Sequence, residues 1–110
     1  MNTNEIIWLE KDMYMFNLVE FPSFSVDYIV ILPGAIENNI VHFECDEWLY
    51  VLSGELQVFI NERKKRVKEG DSVQIPRGTI HGSKNESAQK VNILSVCSPP
   101  FKLEYMNKIN

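Results

Sequence analysis

Two histidines are the side chains of this sequence best suited to metal or acid–base chemistry. His42 and His81 are its only imidazoles, and three acidic residues, Glu44, Asp46 and Glu47, follow closely after His42. Imidazole and carboxylate groups bind divalent transition metals, and both can also transfer a proton. A lone histidine on a strand face is more often a hydrogen-bonded core residue than a metal ligand. The spacing of the residues around these two histidines therefore has to decide between the two roles.

Glycines and a proline surround the histidines at fixed distances, in two halves. The first half contains, in order, Gly34, Ile40, His42, Glu47 and Gly54. The second half contains, in order, Gly70, Pro76, Gly78, His81 and Asn85. We interpret the glycines as turn positions and the proline as a residue that fixes φ before the segment carrying the second histidine. Both histidines therefore lie next to turns that connect strands.

This arrangement resembles the two motifs of the cupin superfamily, Gly-x5-His-x-His-x3–4-Glu-x6-Gly and Gly-x5-Pro-x-Gly-x2-His-x3-Asn. The resemblance spans about residues 34 to 85, and nine fixed positions match in register. It implies an all-β fold, a cupin-type double-stranded β-helix that forms a jelly-roll-like barrel. It also implies a metal site made by His42, Glu47 and His81, with Ile40 where the family usually has a further histidine.

Two imidazoles and one carboxylate suit one divalent metal ion, which could be Fe, Zn, Mn, Ni or Co. Ile40 has two interpretations: it fills space and leaves coordination positions open, or it marks a site that has lost its metal and binds a ligand without one. Glu44 shares a strand face with His42 by alternation and could act as a substitute ligand. Alternation places Cys45 on the opposite face, so we interpret it as a small packed residue.

Short apolar segments rich in Val, Ile, Phe and Tyr, separated by turn residues, predict strands along the whole chain. The predicted strands are Tyr14–Val19, Phe24–Leu32, Ile40–Cys45, Glu47–Leu52, Glu55–Ile60, Arg63–Lys68, Ser72–Ile75, Thr79–Ser83 and Val91–Val96. Phe101–Tyr105 is predicted as an additional edge strand, with a frayed tail after it. We interpret residues 1–110 as a single cupin domain, with N-terminal strands in 1–33, the motifs in 34–85 and a C-terminal strand and tail in 91–110.

Several residues beside the metal ligands are candidates for the lining of a pocket inside the barrel. They are Ile40, Glu44, Gln57, Phe59 and Gln74. A polar side chain on a buried face needs a partner, which a ligand could supply; the alternative is that these side chains face solvent. The sequence identifies no catalytic residue, and with no third histidine, proton transfer would fall to Tyr50, Glu44 or a water on the metal.

Length and composition exclude several classes of protein. The chain has 110 residues, 45% of them hydrophobic and 24% charged, which is typical of one folded domain. Its net charge of −4 argues against nucleic acid as a partner, and we interpret the basic run Arg63–Arg66 as a solvated hairpin arm. No signal peptide and no apolar run long enough for a bilayer are found, so we expect a cytoplasmic protein that does not bind membranes.

The resemblance leaves the function open between two classes. The first is a metal-dependent enzyme, such as a dioxygenase, isomerase, cyclase or lyase, that acts on a small oxygen-rich metabolite (a carbonyl, enol or sugar derivative) by Lewis-acid or dioxygen chemistry. The alternative is a non-catalytic module that binds or senses a sugar or metabolite. The apolar segment Met13–Phe21 has no evident place in a minimal barrel. We therefore expect a homodimer, in which this segment pairs with the sheet edge of a neighbouring subunit.

Overall fold

The structure is a computed structural model that describes residues 5–109. Within these residues the chain forms eleven strands and one 3-10 turn. The strands are β1 (Ile7–Glu10), β2 (Met13–Glu20), β3 (Ser25–Ile31), β4 (Ile36–Val41), β5 (Asp46–Ser53), β6 (Glu55–Ile60), β7 (Arg63–Lys68), β8 (Ser72–Ile75), β9 (His81–Lys84), β10 (Val91–Ser98) and β11 (Asn107–Lys108). No helix in this part of the chain is long and apolar enough to cross a membrane.

The strands form two antiparallel sheets. The six-stranded sheet has the order β1-β2-β3-β10-β5-β8, and the five-stranded sheet has the order β11-β4-β9-β6-β7. Most neighbouring strands in the sheets are not consecutive in sequence, and the chain crosses repeatedly between the two layers. This confirms the all-β prediction, and it brings residues that are distant in sequence to the same interior.

Alternation along the strands builds the core between the sheets. In β10, for example, Val91, Ile93, Ser95 and Cys97 are buried, whereas the residues between them are partly exposed. The core is made almost wholly of aliphatic and methionine side chains, contributed by both sheets. Polar groups that reach this interior are therefore surrounded by hydrocarbon, and each of them needs a hydrogen-bond partner or a ligand.

The apolar N-terminal segment belongs to the barrel of its own chain. β2 lies between β1 and β3 in the six-stranded sheet, and Met13 and Met15 are each 2% exposed in the core. The expectation that Met13–Phe21 has no place in the barrel is thus wrong. β1 was not predicted, because four residues with one charge are too few to show an alternating pattern.

The C-terminal residues are folded rather than frayed. Leu103–Tyr105 form a 3-10 turn instead of the predicted strand, and β11 pairs with β4. The backbone N–H of Ile109 donates to the carbonyl of Asn39 over 2.7 Å. Lys108 Nζ lies 2.7 Å from a carboxylate oxygen of Glu10, and this ion pair joins the edge strands of the two sheets. We call residues 101–109 the C-terminal strap.

A bulge shifts β4 away from its predicted position, Ile40–Cys45. Glu37 pairs with Ser83 and Ile40 pairs with His81, so the two residues between Glu37 and Ile40 both lie opposite Gly82. One of them, Asn39, has φ of 51°, a left-handed conformation that asparagine tolerates well. β4 starts earlier than predicted, at Ile36, and ends at Val41, so the bulge lies within the strand.

Candidate metal centre

Three strands position the two imidazoles and the carboxylate. His42 directly follows β4, Glu47 is the second residue of β5, and His81 is the first residue of β9. β4 and β9 are neighbours in the five-stranded sheet, whereas β5 belongs to the other sheet. The backbone N–H of Gly78 donates to the carbonyl of His42 over 2.7 Å, which ties the turn before His81 to the first histidine. The three side chains therefore meet across the barrel interior.

The potential ligand atoms of these three residues lie close together. His42 Nε2 is 3.8 Å from Glu47 Oε1, and His81 Nε2 is 3.6 Å from the same oxygen. The ligand atoms of the three residues are all within 4.8 Å of one another. A metal ion with bonds of about 2.0–2.2 Å to nitrogen and oxygen separates neighbouring ligand atoms by about 3–3.5 Å, depending on its geometry. The cluster thus fits one ion after a small contraction.

Each imidazole is oriented by a hydrogen bond from its other ring nitrogen. His81 Nδ1 lies 3.0 Å from the carbonyl oxygen of Thr79, and His42 Nδ1 lies 3.3 Å from the carbonyl oxygen of Tyr105 in the C-terminal strap. A carbonyl can only accept, so Nδ1 carries the proton in both rings and Nε2 keeps its lone pair. This is the tautomer that a histidine needs when Nε2 binds a metal.

The carboxylate is oriented in a similar way. Ser95 Oγ donates to Glu47 Oε2 over 2.7 Å, so Oε1 is the oxygen that faces the two imidazoles. In the sequence, Ser95 stands out only as a polar residue within an apolar strand. The hydrogen bond from its hydroxyl group fixes the orientation of the Glu47 carboxylate, with Oε1 toward the two imidazoles.

The electrostatics of the site favour the neutral form of the His81 imidazole. Burial lowers the pKa of this imidazole, because the charged form loses its hydration, and the nearby Glu47 carboxylate opposes that shift only in part. His81 is therefore neutral at neutral pH. A neutral imidazole is the form that binds a metal ion.

Two further carboxyl groups line the same cavity, and sequence analysis missed both. Asp27 on β3 and Glu37 on β4 share the cavity with the three clustered residues. Burial raises the pKa of Asp27 to about 6, against a hydrogen bond from Asn17 that lowers it. Burial and the nearby Glu47 raise the pKa of Glu37 to about 8. The signal for Asp27 was present in the sequence, since it interrupts the apolar run of β3 at an inward position.

The predicted pocket residues on β6 and β8 lie elsewhere. On β6, Leu56 and Val58 line the cavity, so the alternating residues Gln57 and Phe59 face away from it. Gln74 is exposed on β8. This placement corrects the prediction: polarity alone suggested a role inside the barrel, whereas the register of the strands puts these side chains on its outer surface.

Ile40 and Glu44 are not part of the cavity lining either. Ile40 is fully buried and lies directly opposite His81 in the pairing of β4 with β9. Glu44 is exposed in the bend before β5 and is not part of the ligand cluster. β4 ends at Val41, so the strand alternation that would have placed Glu44 beside His42 does not extend that far. Cys45 is a buried free thiol, in keeping with the packed position expected for it.

The cupin-domain family model matches residues 27–97 of the chain, a span that contains the whole cluster and both additional carboxyl groups. The chain belongs to the cupin family. An uncharacterized protein of Aquifex aeolicus is 30% identical over 91 residues, which cover 83% of this chain and 73% of that protein. Two other relatives, the endoribonuclease YbeY of Myxococcus xanthus and the mannose-1-phosphate guanylyltransferase of Klebsiella pneumoniae, are much longer: the match covers 21% and 18% of their lengths.

Solved structures confirm the cupin barrel. KdgF from Halomonas sp. superposes with a TM-score of 0.79 at 21% identity, over 86% of each chain. TT1209 from Thermus thermophilus superposes with a TM-score of 0.76 at 28% identity, over 83% of this cupin and 87% of that chain. The likeness extends over most of each chain, so this cupin has the architecture of a small single-domain member of the family.

Proposed function

We propose that this cupin is an enzyme that acts on a small oxygen-containing metabolite and uses one divalent metal ion held by His42, Glu47 and His81. The observation that supports this proposal is the convergence of two Nε2 atoms and one Oε1 atom. The remaining polar atom of each of these side chains is already engaged, by a carbonyl or by a hydroxyl group. Such hydrogen bonds orient the remaining ligand atoms toward a common point, as they do around bound metal ions.

The donor set also suits catalysis better than a purely structural role. Structural zinc sites are closed by four protein ligands, whereas three protein ligands leave positions for water or substrate. A divalent ion held here would supply Lewis-acid polarisation of a carbonyl or hydroxyl oxygen, or a site for dioxygen.

The chain itself supplies groups that can hold or accept a proton beside the cluster. Asp27 and Glu37 line the cavity, and their raised pKa values, about 6 and about 8, lie near neutral pH. A carboxyl group with a pKa near the working pH is an effective general acid or base. These two groups provide the proton-transfer function for which the sequence offered no clear candidate, and they favour an enzyme over a simple binding module.

Elemental analysis of protein purified without an affinity tag tests the proposal. We expect about one divalent ion per chain in the wild type and none in the His42→Ala/His81→Ala double variant, because two of three ligands are then missing. Equal metal contents in the two proteins would contradict the assignment. Metal-loaded protein is then assayed against a panel of carbonyl and enol compounds; full metal occupancy without turnover of any of them would favour the binding module.

We also propose that the protein forms a homodimer through the outer face of the six-stranded sheet. Phe16, Tyr28, Leu94 and Tyr50 lie side by side on four adjacent strands of this face, and all are partly exposed. Such an exposed apolar row favours association. Light scattering at micromolar concentration should give the mass of two chains, and Tyr28→Lys should give the mass of one with unchanged metal content. A single-chain mass for the wild type would refute the dimer.

A further inference from the structure

Asp27 has one carboxylate oxygen that no residue of the described chain engages. The side chain is 3% exposed, and its Oδ1 accepts a hydrogen bond from Asn17 Nδ2 over 3.0 Å. Within residues 5–109, no group donates a hydrogen bond to Oδ2. Every fully buried side-chain oxygen in this part of the chain has a hydrogen-bond partner, so Oδ2 is not fully buried. Since Asp27 lines the cavity, Oδ2 is open to whatever occupies the cavity.

The distribution of charge in the cavity restricts what that occupant can be. Asp27, Glu37 and Glu47 all contribute carboxyl groups to the lining, and most of the remaining surface is hydrocarbon from residues such as Met15 and Ile93. Glu37, whose pKa is raised to about 8 by burial and by the nearby Glu47, is uncharged at neutral pH. Asp27 and Glu47, when ionised, together balance the charge of a single divalent ion, so the cavity has no excess positive charge with which to bind an anion. Charges interact strongly in such a poorly hydrated interior, so a phosphate or carboxylate group on a ligand would be repelled.

We propose that Asp27 is a second binding residue of the cavity, where its Oδ2 accepts a hydrogen bond from a hydroxyl group of a small uncharged ligand. The ligand class is a short hydroxyketone or related alcohol with an apolar body, whose other oxygen lies at the cluster of His42, Glu47 and His81. Phosphorylated and carboxylated metabolites are disfavoured. This inference rests on the proposed function and narrows its substrate to uncharged molecules.

The test compares two three-carbon probes, hydroxyacetone and lactate, which differ chiefly in charge. Their dissociation constants are measured by calorimetric titration of the wild type and of Asp27→Asn, with and without bound Zn²⁺. The asparagine retains an acceptor for the Asn17 amide, so the fold is preserved. Loss of the carboxylate acceptor should weaken hydroxyacetone binding about tenfold, whereas loss of the negative charge should strengthen lactate binding about tenfold.

The opposite signs of these two changes distinguish a binding role from a structural one. Glu62→Gln, the same kind of change at an exposed turn, should leave both affinities unaltered. Glu37→Gln, as a second cavity variant, should leave lactate binding at neutral pH nearly unaltered, because a carboxyl group with a pKa of about 8 is already uncharged there. The inference is overturned if both probes change in the same direction in Asp27→Asn, if neither changes, or if the wild type binds lactate more tightly than hydroxyacetone.

Failure of the metal site gives a different result. If the wild type binds no Zn²⁺, the proposed function fails, while the titrations without metal still report on Asp27. If Zn²⁺ binds, but the affinities for hydroxyacetone and lactate do not change in opposite directions in Asp27→Asn, the inference about Asp27 fails and the metal site stands.

Discussion

Replacing His81 with alanine should lower the affinity for a divalent metal ion by at least about a hundredfold. Loss of a residue that merely orients a ligand costs about 10- to 100-fold in metal affinity, and loss of the ligand itself costs more. Only His42 and Glu47 would remain in the cluster. Competition titration against a chromophoric chelator measures the change. Added metal should also raise the melting temperature of the wild type and leave that of the variant unchanged, because an ion stabilises only the state that binds it.

Glu44→Gln is the matched control for this experiment. Glu44 is an acidic residue two positions after His42, but it is exposed and outside the cluster. Its replacement should leave metal affinity within about twofold of the wild type. Wild-type affinity in His81→Ala, or a large loss in Glu44→Gln, would show that the ion is bound by other residues.

Replacing Gly82 with alanine should lower the free energy of unfolding by about 3 kcal/mol or more, among the larger effects of a single substitution. A Cβ atom at this position would overlap the carbonyl oxygen of Glu37 and lie 3.2 Å from the Cα of Asn38. Both are backbone atoms of the β4 bulge, so the clash can be relieved only by moving β4 away from β9. That movement would also separate His42 from His81. Urea denaturation followed by tryptophan fluorescence measures the loss.

Gly34→Ala provides the comparison for Gly82→Ala. Gly34 has φ of 85°, but a Cβ atom there would meet nothing within 4 Å. The cost should be only the strain of a left-handed alanine, about 1 kcal/mol. A smaller loss of stability in Gly82→Ala than in Gly34→Ala would mean that the bulge yields easily and that the spacing of the histidines does not depend on it.

The bounds of several strands were predictable because the information that defines them is local, whereas the barrel topology was expected only from the resemblance of the motifs to the cupin family. β6 and β7 have the predicted bounds, Glu55–Ile60 and Arg63–Lys68, since alternation and a tight turn define a hairpin without reference to the rest of the chain. β1 and β11 were not predicted. They have four and two residues, too few for a periodic signal, and they form because a neighbouring strand offers free backbone groups.

The ligand cluster was predictable for a different reason. His42, Glu47 and His81 stand at motif positions, and the structure brings their side chains together. The pocket lining was not predictable, because it depends on strand register. The bulge in β4 changes which residues before Ile40 face inward, so Glu37 enters the cavity, and β4 ends at Val41, so Glu44 remains outside. No local pattern reports such a shift.

The hydrogen bond between His42 and Tyr105 has a consequence for the order in which the protein matures. Its partners are 63 residues apart in sequence, so the contact forms only at the entropic cost of closing a long loop. Until the C-terminal strap docks, the His42 ring is free to rotate and either nitrogen can carry the proton. We therefore expect the cluster to acquire its final geometry only once the strap has docked. Accordingly, we expect an ion that binds the proposed site to load the folded protein rather than to guide its folding.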